Sequence, residues 1–237
     1  MLSLEHVYTA CSFFFCFYRE AGIMKGNIND SCMKQGCLTY TDEKGGLIML
    51  ELKLKSGEVK QCEAGAYVHE LLEAWNVKEA VYAVTLDGKL HDLNYRIKKS
   101  GALDYIYADS ETGKLIYERS LNFLFIVAVR SLFPDARVRM EHALSGGQYC
   151  EIDKAGYCKP QDVRKIEKRM KELIAANEVI HRRVVATAEA QAYFDRLGMK
   201  NKANLLACRK SATSSIYTLC GYDDYFYGIM LPDTSYL

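Results

Sequence analysis

The chain has 237 residues and a formal net charge of +1 at pH 7, and 49% of its residues are hydrophobic. These values are ordinary for a globular protein and allow a sizeable core in one or two domains. The near-neutral charge excludes a strongly basic nucleic-acid arm and an acidic solvating tail, although it is compatible with a local basic patch. The 17 tyrosines argue against intrinsic disorder, and the 3 prolines argue against a Pro-rich linker.

Residues 1–48 differ in character from the rest of the chain. The apolar run at residues 8–18 is too short for a membrane span, which needs about 20 residues, and no basic region precedes it as in a signal peptide. Residues 26–46 are polar and Gly-rich without a period. We therefore predict an irregular N-terminal extension and no membrane association. Two origins stay open for it: a true N-terminal segment, or upstream sequence that precedes a start at Met24, Met33 or Met49.

Regular patterns begin at Met49. Leu50, Leu52 and Leu54 alternate with charged residues, which is typical of a strand with one buried face. Ser56 and Gly57 then supply a turn. The further elements that we predict are a strand over 58–62, a helix over 66–75, and strands over 81–86, 90–93 and 102–108. Two strands, a helix and more strands in about 60 residues indicate a β-grasp-like α+β unit.

A second region begins near Glu118. Residues 121–133 are apolar nearly all round and predict a buried helix that ends at Pro134. Beyond them the predicted elements are a hairpin over 137–140 and 148–152, an amphipathic helix from Pro160, a strand over 183–186, a short helix capped by Thr187 and ending near Leu197, and strands in the tail from 215 to 237.

The first region resembles a TGS domain, the small β-grasp module of threonyl-tRNA synthetases, some GTPases and guanosine-polyphosphate synthetases. The resemblance is carried by LKLKSG at residues 52–57, by Gly65 and by VTLDGKLHDL at residues 84–93. It implies a TGS β-grasp domain over residues 49–109.

The second region resembles the editing domain that follows TGS in threonyl-tRNA synthetases and is shared with alanyl-tRNA synthetases. The matching pieces are RSLFP at 130–134, GGQY at 146–149, DVRKIEKRMKELI at 162–174, RVV at 183–185 and YDDYFYG at 222–228. The resemblance implies an α+β fold of two domains, with an editing-like domain over residues 110–237.

The chain departs from the editing domains at their active centre. There the resemblance implies a His-x-x-x-His pair and a Cys-x-x-x-His pair, which can bind a metal or a water and position it against an ester carbonyl. The corresponding positions in this chain are Arg119, Phe123, Phe226 and Met230. Arginine stays protonated, phenylalanine has no lone pair and the methionine thioether is soft and neutral. We therefore predict a degenerate editing domain with no metal and no catalytic site.

TGS followed by an inactive editing-like domain is also similar to the front half of bacterial uridine-kinase-like (nucleoside kinase) proteins, in which a P-loop kinase domain follows. This chain contains no GxxxxGK[ST] motif, so it has no phosphate cradle of that kind. Our main interpretation is a non-catalytic regulatory or RNA- or nucleotide-binding front module of such a kinase, with ATP and Mg²⁺ required only by a downstream domain. The alternative is a threonyl-tRNA-synthetase-like fragment or an aminoacyl-tRNA deacylase acting on mischarged tRNA.

Basic and aromatic side chains of the second region are the candidate ligand contacts. In a tRNA-binding relative such cations would neutralise phosphates, and tyrosines could stack on bases. The candidates are Arg119, Arg137, Arg139, Arg182, Arg183, Arg209, Lys210 and Tyr225. The alternative for the lysines and arginines of the helix after Pro160 is a solvated face, because Glu167 and Glu172 interleave with them.

The remaining polar residues carry little chemistry. Nine cysteines form no CxxC pair, so we interpret them as reduced thiols packed as small apolar groups, which predicts a cytoplasmic protein. A metal cluster of His142 with Cys150 and Cys158 would match no known ligand spacing.

Overall fold

The computed structural model describes residues 11–15, 48–144, 147–156 and 158–237, with backbone only for residues 11–15 and 142–144. These residues form three β-sheets and several helices. All but one of the strand pairs in these sheets are antiparallel, which is compatible with the α+β class that the sequence predicts. In the described part of the chain, no helix combines the length and the apolar composition that crossing a bilayer would require.

The first sheet contains five strands and one helix packed on it. Its elements are β2 (Met49–Leu54), β3 (Val59–Glu63), α1 (Val68–Ala74), β4 (Val81–Leu86), β5 (Lys89–His91) and β6 (Gly101–Tyr107). The strand order is β3-β2-β6-β4-β5, and β2 and β6 are parallel whereas the other neighbours are antiparallel. The predicted alternation along β2 is confirmed, since Leu50, Leu52 and Leu54 are buried.

The rest of the chain builds two three-stranded sheets around a long helix. Its elements are α2 (Glu111–Leu132), β7 (Arg137–Leu144), β8 (Gly147–Asp153), α3 (Pro160–Ala175), β9 (His181–Ala186), α4 (Thr187–Arg196), α5 (Lys200–Ala207), β10 (Thr213–Leu219), β11 (Tyr222–Tyr225) and a 3₁₀ turn (Thr234–Tyr236). One sheet has the order β1-β8-β7, in which β1 is Cys11–Phe15, and the other has the order β11-β10-β9.

Helix α2 begins ten residues before the predicted start at residue 121. Its first turns mix polar and apolar residues, so they lack the continuous apolar run on which the prediction rested. Buried residues nevertheless recur at helical spacing at Gly113, Ile116 and Ser120. The Ser110 hydroxyl accepts a hydrogen bond from the Gly113 N–H (3.0 Å) and caps the helix.

Two further local predictions differ from the structure. Thr187 is the first residue of α4 and not its cap, which is Ala186. The Thr187 hydroxyl donates to the Ser211 carbonyl oxygen (2.7 Å) and does not cap the helix. Within the extension predicted to be irregular, β1 pairs antiparallel with β8 along Cys11–Phe15. The remainder of residues 1–47, including the candidate starts Met24 and Met33, lies outside the described residues.

The C-terminal segment connects α3 with the first sheet. Asp233 pairs with Val179 just after α3, and the Ile180 N–H donates to the Pro232 carbonyl oxygen (2.9 Å). Tyr236 then packs edge-on against Tyr82 of β4, with ring centroids 6.2 Å apart. The segment therefore fixes the first sheet relative to the rest of the molecule.

Thr234→Val is expected to destabilise the protein by about 2 kcal/mol. The buried Thr234 hydroxyl donates to the Leu173 carbonyl oxygen (2.8 Å) and accepts from the Glu178 N–H (2.9 Å). Valine keeps the shape but leaves both backbone groups without that partner. Urea unfolding measures the loss, and Thr112→Val at a partly exposed threonine is the matched control. Equal losses in the two variants would contradict the assignment.

Candidate ligand-binding cleft

A cleft of about 460 Å³ opens between the first turns of α2, strands β9 and β10, and the segment at residues 225–229. Leu90 of β5 closes one side of it. The polar and aromatic residues of the lining are Thr112, Arg119, Arg182, Arg209, Thr213, Ser214, Ser215, Tyr225, Phe226 and Tyr227. We call this site the arginine cleft. Its size falls in the range of pockets that bind small molecules and cofactors.

The structure brings the four positions that the resemblance equates with an editing centre into one region, where they mainly pack against each other and the core. Phe123 and Met230 are 0% and 2% exposed and belong to the main hydrophobic core, against which the partly buried Phe226 packs. The Phe123 and Phe226 ring centroids lie 5.2 Å apart. Of the four, Arg119 and Phe226 line the arginine cleft. The site implied by the resemblance is thus largely occupied by apolar side chains.

Arg119 projects from α2 into the cleft and is held by the backbone opposite. Its guanidinium donates to the Ile229 carbonyl oxygen and lies against Gly228, where an added Cβ would be 2.9 Å from the arginine Cζ. Burial lowers the pKa of Arg119, whereas Tyr217 and Tyr227 act in the opposite direction. The guanidinium nonetheless stays protonated at neutral pH. Among the described residues, no carboxylate forms an ion pair with it.

Arg209 also lines the cleft and contacts the same segment through two tyrosines. Its guanidinium donates to the Tyr225 hydroxyl and stands 5.5 Å from the Tyr225 ring centroid and 5.4 Å from that of Tyr227. Its Nε–H is buried and has no hydrogen-bond partner within the described part of the chain, where no carboxylate pairs with it either. The Tyr227 ring is 76% exposed at the rim. The exposed Tyr227 and the Arg209 guanidinium therefore lie next to each other in the cleft.

Arg182 is the neutralised cation of the cleft. It forms an ion pair with Asp92, which follows β5, with 2.8 Å between Nη1 and Oδ2, and its Nε donates to the Ser215 hydroxyl (3.1 Å). The pair joins β9 to the first sheet across 90 residues of sequence. Sequence reasoning did not single out Asp92, Ser214 or Ser215, because their roles arise only when distant strands come together.

The other predicted contacts lie outside the cleft lining. Arg183 pairs with Asp223 (2.5 Å) and covers the Tyr193 ring, and Arg139 pairs with Glu151 (2.5 Å). Arg137 and Lys210 are exposed. The structure therefore brings together Arg119, Arg182, Arg209 and Tyr225 and leaves the other four candidates apart.

The basic side chains of α3 pair along their own helix. Lys171 contacts Glu167 (2.6 Å), and Arg169 and Lys168 contact Glu172 (3.2 and 4.0 Å). Exposed pairs of this spacing each contribute only a few tenths of a kcal/mol. They agree with the alternative interpretation of a solvated helix face.

The cysteines and histidines of the described residues form no group of three or more metal-binding side chains with each other or with carboxylates. Cys150 and Cys158 are buried, and desolvation, with a smaller contribution from Cys158, raises the pKa of Cys150 to about 11. Its thiol is therefore protonated at neutral pH. The structure describes only the backbone of His142.

Comparison with known proteins shows similarity to bacterial threonine–tRNA ligases, although no protein-family profile matches the chain. It is 31% identical over 188 residues to that of Pelobacter propionicus, covering 78% of this chain and 30% of the relative. It is also 31% identical over 192 residues to those of Burkholderia lata and Burkholderia multivorans, covering 80% of this chain and 30% of each relative.

The chain is thus homologous to the N-terminal region of threonyl-tRNA synthetase and spans about 30% of the length of the relatives that it matches. This homology supports the alternative that the sequence left open, a synthetase-like fragment. The main interpretation, a uridine-kinase-like front module, has no support from these comparisons.

Proposed function

We propose that this chain is a threonyl-tRNA-synthetase-like fragment that binds the acceptor end of a tRNA and does not hydrolyse the ester that the tRNA carries. The observation that carries the proposal is the arginine cleft: three guanidinium groups and two tyrosines surround a cavity beside the positions that correspond to an editing centre. The homology to synthetases supports a tRNA as the ligand.

The proposal includes the two domains implied by the resemblance. Residues 49–109 would form a TGS β-grasp domain, which is supported by the parallel pairing of β2 with β6 inside a sheet that carries one helix. Residues 110–237 would form a degenerate editing domain around α2. The arginine cleft lies mainly in the second of these and is closed by Leu90 of the first.

The chemistry of the cleft suits the single-stranded end of an RNA. Arginine neutralises phosphates and stacks on bases, and unstacked bases lie readily on aromatic rings. Arg119 and Arg209 have no ion pair within the described residues, so their charge is available to a phosphate. The exposed Tyr227 ring offers a stacking surface next to them.

The same lining argues against hydrolysis. It contains no His, Cys, Asp or Glu side chain among the described residues, and an arginine cannot serve as a general base near neutral pH. The Ser214 hydroxyl is hydrogen-bonded to that of Thr187 (2.9 Å), with no imidazole beside it in the lining to activate it. Deacylation of mischarged tRNA is therefore the alternative that the experiment below tests. A kinase partner forms no part of the proposal.

Binding is tested by the fluorescence anisotropy of a labelled threonine-specific tRNA. We expect the affinity to fall as salt rises from about 50 to about 200 mM, because phosphate contacts release counterions. Arg209→Gln should weaken binding and lower the steepness of this salt dependence by about one unit. Arg137→Gln, at an exposed arginine outside the cleft, is the matched control and should change binding much less.

Hydrolysis is tested with the same tRNA after mischarging. We expect the amino acid to leave at the rate measured without protein. Turnover above that background would overturn the non-hydrolytic part of the proposal and favour a deacylase. Equal losses of tRNA affinity in Arg209→Gln and Arg137→Gln would overturn the assignment of the cleft.

A further inference from the structure

We infer that the arginine cleft binds a phosphate monoester dianion between Arg119 and Arg209, as the phosphate of a free nucleoside monophosphate. This goes beyond tRNA binding, because an internal RNA phosphate is a diester that carries a single negative charge. The inference rests on the balance of charge in the cleft and on how the two arginines are fixed.

Two arginines of the cleft have no carboxylate partner among the described residues, so a ligand with two negative charges would balance them. Of the three arginines in the lining, Arg182 is matched by Asp92, whereas Arg119 and Arg209 have no carboxylate partner in the part of the chain that the structure describes. Arg119 is partly buried, and burial lowers its pKa, so its charge is only partly solvated and has no counter-charge among the described residues. A phosphate monoester carries about −1.5 to −2 at pH 7.

The two free cations are held by one short stretch of backbone. Arg119 bonds to the carbonyl of Ile229 and fits over Gly228, which has a positive φ of 95° and no room for a Cβ. Arg209 bonds to the Tyr225 hydroxyl and lies over the Tyr227 ring. Both guanidinium groups are therefore positioned against residues 225–229, so their charges face a common space in the cleft.

One of the two arginines carries an unsatisfied donor. The Nε–H of Arg209 is buried and has no partner among the described residues. Buried polar groups are nearly always hydrogen-bonded, so this N–H needs a partner that the described residues do not supply. Charge-assisted bonds from guanidinium to phosphate oxygens are short and directional, and they satisfy several N–H groups at once.

The rest of the cleft suits a nucleoside. The Tyr227 ring at the rim is 76% exposed and presents a face for a base. Thr213 and Ser215 contribute hydroxyl groups to the wall, which can exchange hydrogen bonds with a sugar. A volume of about 460 Å³ leaves room for a nucleotide with its phosphate on the arginines.

Isothermal titration calorimetry with four probes tests the inference: adenosine 5′-monophosphate, its phosphate methyl ester, adenosine and inorganic phosphate. We expect the monophosphate to bind at least about tenfold more tightly than the methyl ester, since the second charge engages a second arginine, and adenosine to bind more weakly than both. Lowering the pH from about 7.5 to about 5.5 should remove most of this difference, because the phosphate then becomes a monoanion.

Arg119→Gln and Arg209→Gln should each weaken monophosphate binding about tenfold and abolish the preference over the methyl ester. Arg137→Gln should leave both unchanged. Circular dichroism shows whether each variant is folded, and Arg119→Lys and Arg209→Lys, which keep the charge, should recover part of the affinity. Recovery by lysine separates a charge effect from a loss of structure.

The outcomes distinguish this inference from the proposed function. Equal affinities for the monophosphate and the methyl ester, or tRNA binding without monophosphate binding, would overturn the dianion site while leaving tRNA binding intact. Monophosphate binding without tRNA binding would support the dianion site and overturn the proposed function. Inorganic phosphate that binds as tightly as the monophosphate would overturn the assignment of a nucleoside to the cleft.

Discussion

Replacing Gly113 with alanine is expected to destabilise the protein by about 3 kcal/mol. In an open helix the same change stabilises by up to about 1 kcal/mol, because alanine has the higher helix propensity. Gly113, however, lies in the first turn of α2 against the backbone of Tyr107, the last residue of β6. A Cβ there would be 2.1 Å from the Tyr107 carbonyl oxygen and 3.0 Å from its carbonyl carbon. These are backbone atoms that cannot rotate away.

The variant must therefore displace the start of α2 from β6 and lengthen the Gly113 N–H bond to the Ser110 hydroxyl. Urea unfolding followed by circular dichroism measures the change in the free energy of unfolding. Gly101→Ala is the matched control. Its Cβ would be 2.6 Å from Asp87 Oδ1, the end of an exposed side chain that can move, so we expect a loss of about 1 kcal/mol. A Gly113→Ala protein as stable as the control would contradict the close packing of α2 on β6.

The strands of the first sheet could be predicted because their information is local. Along β2, buried leucines alternate with charged residues. Strand β4 ends at the Asp87–Gly88 pair, which is typical of a tight turn. The helix from Pro160 was equally clear, since its apolar face repeats over sixteen residues. In these elements the pattern and the tertiary burial agree.

Elements whose stability comes from contacts elsewhere could not be predicted. Helix α5 (Lys200–Ala207) has eight residues, too few for its apolar period to stand out, and it is fixed by Ala203 and Leu206 packing in a small cluster with Phe194. Strand β1 depends wholly on pairing with β8, more than 130 residues away. Long-range pairing of this kind leaves little trace in a local pattern.

The sequence predicts only part of the candidate site, because some of its contacts join distant stretches of chain. The resemblance to editing domains singles out Arg119 and Phe123, and their spacing of i, i+4 predicts that both lie on one face of a helix, here α2. It cannot show that Asp92 neutralises Arg182 and leaves Arg119 and Arg209 unpaired within the described residues, because those relations depend on three separate stretches of chain. The distribution of charge in the cleft is therefore a property of the fold.

Phe123→His is expected to destabilise the protein by about 3 to 5 kcal/mol at neutral pH. The change introduces the residue type that the resemblance to editing domains implies at this position, but Phe123 is 0% exposed and packs against the tilted Phe226 ring within the main core. An imidazole there loses aromatic packing and buries a polar ring without a partner. Thermal and urea unfolding measure the loss, and Phe226→His, at a partly buried ring, should lose about 1 to 2 kcal/mol.

The pH dependence of the free energy of unfolding distinguishes burial of the introduced imidazole from a simple loss of packing. Burial disfavours the charged imidazole, so the pKa of the introduced ring is lowered in the folded protein, whereas in the unfolded chain it stays near its ordinary value of about 6.5. As the pH falls below that value the unfolded state binds more protons, and the Phe123→His protein should lose further stability relative to wild type, while above it the difference should be constant. Phe226→His should show a much flatter difference because water reaches its ring. If the two variants instead depended on pH equally, the imidazole at position 123 would be solvated, and the packing around Phe123 and Phe226 would be too loose to exclude a water or a metal ion.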